Sequence, residues 1–370
     1  MNFSISIALV GYPNVGKSTF FNALVKRQLA EAKNFPFCTI EPNIAKVAAV
    51  DEALIELSQI TKNPNIKAYN IEVMDVAGLI KGSMTDNDGT GIKFLQCLRE
   101  STAIIQVLRC FKNPNIHYMD KDLNPINEMQ VVQTELILSD IESIEKKIKR
   151  GDKRLTADEK KFLEKVIVEL NSGKNVRQFD FSNITEKERK LLDSLNLISI
   201  KPFVYVFNVE PPEIENEYTR LLEKTLKDED KVITSCVLEN EALQLAEDSP
   251  IMESLEIINN YFETFPNFQF QSWKLIERII KKLDYVTFYS IGETNLNQSW
   301  IIKKGSSIVD AAGAIHSDFA KKFICAEIST IDDWRKHRTE ESIKSAGKMK
   351  VVSRDYIVQD GDIINVKFRN

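Results

Sequence analysis

The sequence predicts an α/β protein with three parts: a P-loop nucleotide-binding domain with a mostly parallel sheet, an inserted helical hairpin like a coiled coil, and a small C-terminal α+β domain. Three observations predict it. A glycine-rich loop near the N-terminus lies between a strand and a helix, a long segment with helical periodicity separates two groups of strands, and the end of the chain favours short strands again. We therefore expect a nucleotide-binding domain of residues 1–125 and 200–284, an arm of residues 126–199, and a C-terminal domain of residues 285–370.

The composition is that of a protein with large cores and no strong overall charge. A length of 370 residues with 43% hydrophobic content predicts two or three domains. The net charge of −5 excludes a general attraction to nucleic acid, so any such binding needs a local basic patch. Five scattered cysteines without C-x-x-C spacing, no signal peptide and no long apolar run predict a cytoplasmic protein without a membrane segment.

The first element is a phosphate-binding loop, GYPNVGKST, from Gly11 to Thr19. It fits G-x-x-x-x-G-K-[ST], and its context agrees, because Phe3–Val10 predicts a buried strand and Thr19–Val25 a helix. In such loops the backbone N–H groups and the helix N-terminus surround the phosphates. Lys17 is then expected at the β- and γ-phosphates and the Ser18 hydroxyl on Mg²⁺. The other predicted nucleotide contacts of the loop are Asn14, Val15, Gly16 and Thr19.

The next strand delivers a second nucleotide motif. Ile71–Met74 predicts a short strand that ends at Asp75-Val-Ala-Gly78, a D-x-x-G. Asp75 is placed to hold Mg²⁺ directly or through water, and the Gly78 N–H to contact a γ-phosphate. Between the two motifs, Asn34–Asn43 contains two prolines and must be a loop. Its Thr39 completes the expected metal ligands when the loop closes; the alternative is a connecting loop with an exposed threonine.

The base-reading segment departs from that of ordinary GTPases. The chain contains no N-K-x-D, and after a core strand it has Asn208-Val209-Glu210-Pro211, with Pro211 in the place of the aspartate. Guanine would lose a charge-assisted contact of roughly 1–3 kcal/mol. We expect Asn208 and Val209 to contact the nucleotide, with adenine read by main-chain groups near Val209 and with Ser235 on the outer wall of the pocket. ATP is therefore predicted as the better ligand and GTP as the weaker one.

From Asn127 the pattern becomes helical. One apolar stripe comprises Val131, Leu138, Ile141 and Ile148, and a second comprises Phe162, Leu163, Val166, Ile167 and Leu170. Gly151-Asp152 predicts the turn of a hairpin between them. Of the nine residues Lys146–Arg154 around this turn, six are basic and one is acidic. Such a tip suits RNA phosphates, and the plainer interpretation is a solvated helix end.

The C-terminal segment favours a small α+β unit. Its predicted elements are strands at Tyr285–Ile291, Phe323–Ile328 and Ile363–Phe368, and a helix at Ser307–Ala314. Asp360-Gly361-Asp362 predicts a tight turn. His316 and His337 have no carboxylate or cysteine partners in a spaced motif, so we interpret both as structural or exposed rather than as metal ligands.

Together these segments resemble the YchF / Obg-like ATPase family. The resemblance rests on GYPNVGKSTFFNAL from Gly11, NFPFCTIEPN from Asn34, DVAGLIKG from Asp75, AIHSDF from Ala314 and DYIVQDGDIINVKF from Asp355. It covers essentially the whole chain. It implies ATP-preferring hydrolysis, Mg²⁺ dependence, ribosome binding and a cytosolic location. The family usually has N-x-x-E in the base-reading segment, whereas here Glu210 falls one residue early.

The C-terminal segment resembles a TGS domain, a β-grasp interaction module without catalysis. With the arm tip, it is the part that the resemblance implies for contact with the ribosome or its RNA. Nothing in the sequence indicates the oligomeric state.

The group that orients the attacking water is the open question of the site. Leu79 stands where many related GTPases have a glutamine, so we expect slow intrinsic turnover. The loop Cys110–Asp120 leaves the carboxyl end of a predicted core strand, and His117 is its only histidine. His117 is therefore a candidate for positioning or polarising the water, against the alternative of a surface histidine.

Four functions compete on this sequence. The first is an ATP-hydrolysing switch that binds the ribosome and regulates translation or a stress response. The second is a GTPase of the translation-factor type, and the third an RNA- or ribosome-binding scaffold with a structural nucleotide site. A P-loop kinase is the fourth, disfavoured by the D-x-x-G spacing and the lack of a substrate lid. Nucleotide competition separates the first two hypotheses, and multiple-turnover phosphate release separates both from the third.

Overall fold

The computed structural model of the chain describes residues 5–26, 43–76, 90–117, 122–149, 155–227, 230–247, 249, 251–292 and 296–369. Within these residues, two six-stranded sheets form the centres of two globular parts, and a group of helices extends from the first.

The strands and helices are numbered in chain order. The strands are β1 (Ser6–Val10), β2 (Asn43–Ala48), β3 (Ile66–Lys67), β4 (Asn70–Asp75), β5 (Ala103–Arg109), β6 (Phe203–Asn208), β7 (Asp230–Thr234), β8 (Tyr285–Gly292), β9 (Leu296–Lys303), β10 (Phe323–Thr330), β11 (Lys350–Val352) and β12 (Asp362–Phe368). The helices are α1 (Lys17–Lys26), α2 (Glu52–Thr61), α3 (Thr90–Glu100), α4 (Pro125–Lys149), α5 (Ala157–Asn171), α6 (Glu186–Ser194), α7 (Glu217–Thr225), α8 (Cys236–Leu245), α9 (Ile251–Glu263), α10 (Ser272–Lys282), α11 (Ile308–Ile315), α12 (Ser317–Lys321), α13 (Ile331–His337) and α14 (Glu340–Ser345).

The first sheet confirms the predicted, mostly parallel architecture. Its strand order is β2-β4-β1-β5-β6-β7, and only the pair of β2 with β4 is antiparallel. Strands β1, β5 and β6 are buried throughout, as expected for strands covered on both faces. Because the parallel strands share one direction, their carboxyl ends meet at one edge of the sheet, which is where ligands bind in such folds.

The inserted helices form a second, smaller core. The predicted second stripe is confirmed, since Leu163, Val166 and Leu170 of α5 are buried there. The predicted first stripe is wrong at Leu138, whose side chain is 54% exposed. Helix α4 has 25 residues and changes partners along its length, so no single stripe describes its buried face. Its first half packs on the main sheet with Met129, Val132 and Leu136, and its second half on α5 with Ile137 and Ile144.

A buried polar network joins the arm to the nucleotide-binding domain. The carboxylate of Asp140 in α4 is fully buried and accepts the N–H groups of Ile198 (2.9 Å) and Ser199 (2.7 Å). The guanidinium of Arg99 in α3 lies 3.6 Å from it and also donates to Ser139 of α4. The groups around Asp140 thus come from α3 and from the segment before β6, and they fix helix α4 of the arm to α3.

The C-terminal sheet has the order β11-β10-β12-β8-β9-β3, with β12 parallel to β8 and α11 packed over one face. This is the expected β-grasp arrangement, in which a hairpin is followed by a helix and the last strand returns beside the first. The predicted β8, β10, β12 and α11 are confirmed within two residues at each end. Strand β9 was not predicted, because its segment LNQSWIIK mixes polar and apolar residues without alternation.

Candidate nucleotide-binding site

The phosphate-binding loop runs from the end of β1 into the first turn of α1, and its glycines are required by close contacts. A Cβ on Gly11 would lie 2.7 Å from the Val107 carbonyl oxygen, and one on Gly16 would lie 2.2 Å from Asn208 Nδ2. Gly16 has a φ of 97° and Asn14 one of 62°, both in the left-handed region. The loop is therefore held tightly between neighbouring strands.

At the start of α1, the structure brings together three predicted residues. The Lys17 ammonium forms a buried ion pair and hydrogen bond with the Asp75 carboxylate at the end of β4. The Ser18 hydroxyl donates to the other oxygen of Asp75 at 3.0 Å. A hydroxyl and a carboxylate at this distance are the hard oxygen ligands that Mg²⁺ prefers, with phosphate oxygens and water in the remaining positions. The residues present thus fit a magnesium site.

Asn208, at the end of β6, connects the loop to the neighbouring strands. Its side-chain Nδ2 donates to the Val15 carbonyl at 2.8 Å, and its Oδ1 accepts the Cys236 N–H at 2.9 Å. Its backbone carbonyl accepts the Cys110 N–H at 2.8 Å. One buried residue therefore fixes the phosphate loop, the loop after β5 and the start of α8 relative to each other.

The expected base contact at Val209 needs a correction. Its backbone N–H donates to the Thr234 carbonyl at 2.9 Å, which extends the pairing of β6 with β7. Only its carbonyl could therefore meet a base. Ser235 is buried, and its hydroxyl accepts the Leu238 N–H at 3.5 Å as the N-cap of α8. On the first turn of that helix, Val237 is 52% exposed, so an apolar side chain borders this end of the site.

The displaced carboxylate of Glu210 is exposed and turned toward the loop after β5. Its Oε1 accepts from Asn113 Nδ2 at 3.0 Å. The residue that replaces the guanine-reading aspartate is Pro211, which offers no donor and no side-chain acceptor. The described residues thus present no carboxylate at the position where N-K-x-D proteins have theirs.

The loop from Cys110 to His117 is organised by Arg109, a residue that sequence reasoning missed. Its buried guanidinium donates to the carbonyls of Phe111 (3.1 Å), Asn113 (3.2 Å) and Ile116 (3.4 Å). The signal that could have revealed it is an arginine at the end of a strand that is otherwise apolar except for Gln106.

His117 lies beside the phosphate loop. Its carbonyl accepts from Asn14 Nδ2 at 3.2 Å, and its side chain is exposed. The structure therefore brings the candidate histidine to the mouth of the predicted site.

Several predicted residues lie outside the described residues: Thr39, Gly78, Leu79 and Arg150–Arg154 of the arm tip. At the described end of α4, Lys146 pairs with Glu142 (2.5 Å) and Lys149 with Glu145 (2.7 Å) one turn earlier. Part of the basic tip is thus balanced by exposed acidic neighbours.

Of the remaining histidines, His316 has a structural role. The His316 ring accepts the Asp318 N–H at 3.2 Å and caps α12. Among the residues that the structure describes, no three histidine, cysteine or acidic side chains form a cluster able to hold a metal. None of the described helices is both long and apolar enough to span a bilayer.

Comparison with protein families matches two segments of the chain. A model described as 50S ribosome-binding GTPase matches residues 6–140, which contain the phosphate loop and Asp75. A model for the C-terminal domain of YchF GTPases, described as a protein of unknown function (DUF933), matches residues 285–369.

Similar proteins cover almost the whole chain. A protein of Pasteurella multocida named ribosome-binding ATPase YchF is 35% identical over 369 residues, with 97% of this chain and 98% of that protein covered. The protein of that name from Bacillus subtilis is 32% identical over 379 residues, covering 99% of each chain. The solved structure of the Schizosaccharomyces pombe YchF GTPase superposes with a TM-score of 0.80 at 30% identity, covering 99% of this chain and 98% of that one.

Proposed function

This chain belongs to the YchF family of P-loop nucleoside triphosphatases, and from that premise we propose that it is a Mg²⁺-dependent ATPase that acts as a switch on the ribosome. The observation that carries the proposal is the grouping of the buried Lys17 and Asp75 with the exposed Ser18 at the start of α1. Lys17 has the positive charge that a bound triphosphate requires, and Ser18 and Asp75 have the oxygen atoms that its metal ion requires.

The residues of the site are already positioned for phosphate binding. Bound Mg²⁺ would neutralise phosphate charge, with Ser18 and Asp75 in place to hold it and Thr39 proposed as a further ligand. The Lys17 ammonium leaves Asp75 for the β- and γ-phosphates, so one ion pair is exchanged for another. The loop backbone is already fixed by Asn208, and little reorganisation remains when the nucleotide binds.

Adenine is the proposed base. Pro211 cannot accept from the guanine N1–H and N2–H₂ groups, and Glu210 is occupied by Asn113. The Val209 carbonyl and the backbone at the start of α8 remain as contacts, with Val237 as an apolar border. A carbonyl acceptor suits the exocyclic amine of adenine, and a guanine oxygen at the same place would meet a second acceptor.

A nucleotide titration with Mg²⁺ tests this proposal directly. We expect ATP to bind the purified protein at least tenfold more tightly than GTP, a difference of about 1.4 kcal/mol. Lys17→Ala should abolish multiple-turnover phosphate release while thermal unfolding shows an intact fold. If GTP binds more tightly, the second candidate, a GTPase as in the description of the matching N-terminal family, is favoured instead.

His117 is proposed to position the attacking water. The support is its position beside the phosphate loop, where its backbone carbonyl accepts a hydrogen bond from Asn14. His117→Ala should lower kcat at least tenfold with ATP affinity changed less than about threefold, which is the pattern of a lost transition-state contact. Unchanged single-turnover hydrolysis would reassign this role to the main chain or to a group of the ribosome.

Ribosome binding, and with it a cytoplasmic location and a role in translation or a stress response, is proposed from the names of the relatives and from the basic arm tip. Exposed helix pairs such as Lys149–Glu145 contribute only ~0.3–0.5 kcal/mol, so these lysines can exchange acidic neighbours for RNA phosphates. We propose the TGS-type domain as the second contact.

Charge reversal at Lys149, Arg150, Lys153 and Arg154 should weaken co-sedimentation with ribosomes and make it less dependent on salt concentration. Co-sedimentation that is unchanged across a salt series would leave the tip as a solvated helix end.

A further inference from the structure

A cleft of about 850 Å³ lies on the side of the nucleotide-binding domain away from the phosphate loop, between the arm and the edge of the main sheet. We propose that this cleft is a second ligand site, for a small phosphorylated molecule with an apolar part. The proposal rests on its position, the charge of its walls and its apolar floor.

The position separates the cleft from the nucleotide site. It is lined by Pro202, which precedes β6, and by Leu226 and Lys227, which precede β7. The phosphate loop contacts the opposite end of β6 through Asn208, which also accepts the Cys236 N–H just beyond the end of β7. The six residues of β6 place the two edges about 20 Å apart at the usual rise of a strand. A ligand in the cleft would therefore not overlap a nucleotide at the phosphate loop.

The walls of the cleft are strongly basic. They carry five cations and one carboxylate, Asp193, which gives a formal charge of +4 on a chain whose net charge is −5. The five cations are Lys174, Arg177, Arg189, Lys227 and Lys282. Such a local excess in a concave surface attracts anions, because low-dielectric walls focus the field.

The cations differ in how they are engaged. Lys174 pairs with Glu169 at 3.0 Å and Lys282 with Asp230 at 2.6 Å, so these two have internal partners. Arg189 and Lys227 are exposed and form no ion pair with a carboxylate of the described residues. These two are therefore available to a ligand.

Arg177 supplies a positioned guanidinium. It stacks over the Phe203 ring, with its central carbon 4.7 Å from the ring centroid, and donates to the Tyr205 hydroxyl at 3.3 Å. A guanidinium held in this way loses little side-chain freedom when an anion binds.

The floor determines the kind of anion. Phe181, Ile184 and Ile200 contribute partly exposed apolar surface to the cleft, which a bare inorganic ion would leave uncovered. The volume lies in the ~300–1,000 Å³ range of small-molecule sites. An extended RNA strand needs a continuous basic track with stacking platforms rather than a single local group of cations. A phosphorylated molecule with an apolar ring matches both the charge and the floor.

Binding stoichiometry tests the proposal with ADP and inorganic pyrophosphate as probes, measured by isothermal titration on the full chain. In the Lys17→Ala protein, which removes the phosphate-loop lysine, we expect one remaining binding event for ADP, with pyrophosphate weaker. Arg189→Glu combined with Lys227→Glu should raise the Kd of that event at least tenfold. The matched control is Lys190→Glu with Lys224→Glu, which makes the same charge change on α6 and α7 outside the cleft, and it should change the Kd less than twofold.

The outcomes separate this site from the proposed nucleotide site. Binding that disappears completely with Lys17→Ala and is unaffected by the cleft variants would overturn the second site and leave the first intact. Equal weakening by the cleft and control variants would mean general electrostatic attraction and would also overturn it. Binding of a polyglutamate peptide at the cleft, with neither probe bound, would replace the small molecule by an acidic protein segment. The side chains substituted in the cleft and control variants are exposed, and thermal unfolding of each variant, Lys17→Ala included, checks that the fold is retained.

Discussion

Glu239 is a residue whose buried surroundings disfavour its charge. Its carboxyl group is completely buried beneath the start of α8 and accepts from Thr234 Oγ1 (2.8 Å), the Gln271 N–H (2.7 Å) and Ser272 Oγ (2.8 Å). The three donors favour the ionised form, but burial outweighs them and raises the pKa of Glu239 to about 7. Through these bonds the carboxyl group links the end of β7 to the start of α10.

The sign of the resulting pH dependence follows from linkage. The folded protein holds this proton more tightly than the unfolded chain, whose glutamate has a pKa near 4.5. The stability from Glu239 is therefore fully present below pH 4.5 and is lost as the pH rises to about 7. We expect the free energy of unfolding of the wild type, relative to Glu239→Gln, to fall by roughly 3 kcal/mol over this range. Urea unfolding of both proteins between pH 4.5 and 8 measures it, and a constant difference would show that the carboxylate stays ionised when folded.

How far the sequence identifies single residues depends on how local their chemistry is. Lys17, Ser18 and Asp75 could be predicted to converge, because a short motif places each at a strand or helix end and parallel strands align those ends. The pairing of Lys17 with Asp75 was not predicted. Glu239 could not be found either, because its donors come from residues 234 and 271–272 and only the folded chain brings them together.

At the scale of elements, the loop Cys110–His117 depends on Arg109. The Asn14–His117 bond holds one end of this loop against the phosphate loop, and the Arg109 guanidinium holds its interior. We expect Arg109→Gln to lower kcat at least fivefold with a small change in ATP affinity, because the loop would lose the fork that fixes it. Hydrolysis assays with ATP titrations measure the two effects separately.

A double variant distinguishes positioning from general damage. If Arg109 acts through His117, adding Arg109→Gln to His117→Ala should lower kcat little further, since the two effects share one cause. Multiplied losses would mean that Arg109 supports the site by another route. Lys112→Gln is the matched control, because within the described part of the chain this exposed cation of the same loop interacts with Glu217 and the Tyr218 ring and not with the loop backbone.

Helices of the arm show why pattern reasoning succeeds in some elements and fails in others. Helix α5 packs on one side only, and its apolar stripe identified its buried face correctly. Helix α4 contacts the main sheet and then the arm core, so its buried face turns along its length and Leu138 lies outside it. Periodicity describes a helix with a single partner, and a change of partner is encoded only in the tertiary structure.

At the scale of the whole molecule, the two globular parts share a seam made by residues between β2 and β4. Strand β3 extends the C-terminal sheet by pairing Ile66 with Asn297 and Lys67 with Gln298. Beside it, Arg335 makes a forked ion pair with Glu56 of α2, with Nε–Oε2 and Nη2–Oε2 distances of 2.8 and 2.7 Å. This seam could not be predicted, since a two-residue strand carries no pattern and its partner lies over 200 residues away.

Beneath these polar contacts, the seam has a shared apolar core. Leu54, Leu57 and Ile60 of α2 pack in one cluster with Trp334, Ile343 and Ile363 of the C-terminal domain. Only residues 68 and 69 separate β3 from β4, the strand that ends at Asp75. The C-terminal sheet is thus connected through a short rigid path to the strand that carries a proposed metal ligand.

A shared core predicts that the two parts unfold together. Leu57 is completely buried in the seam, and Leu57→Ala should cost ~2–5 kcal/mol through lost packing and a cavity. Tryptophans report on each part: Trp273 belongs to α10 of the first, and Trp300 to β9 of the second. In proteins that carry Trp334→Phe in the seam and retain only one of these two tryptophans, urea unfolding followed by fluorescence should give the same midpoint, and Leu57→Ala should lower both midpoints equally. The control is Leu138→Ala on the exposed face of α4, which should move neither by much. A Trp300 transition that is separate from that of Trp273 and unaffected by Leu57→Ala would mean that the C-terminal domain folds independently and that the seam is a weak contact.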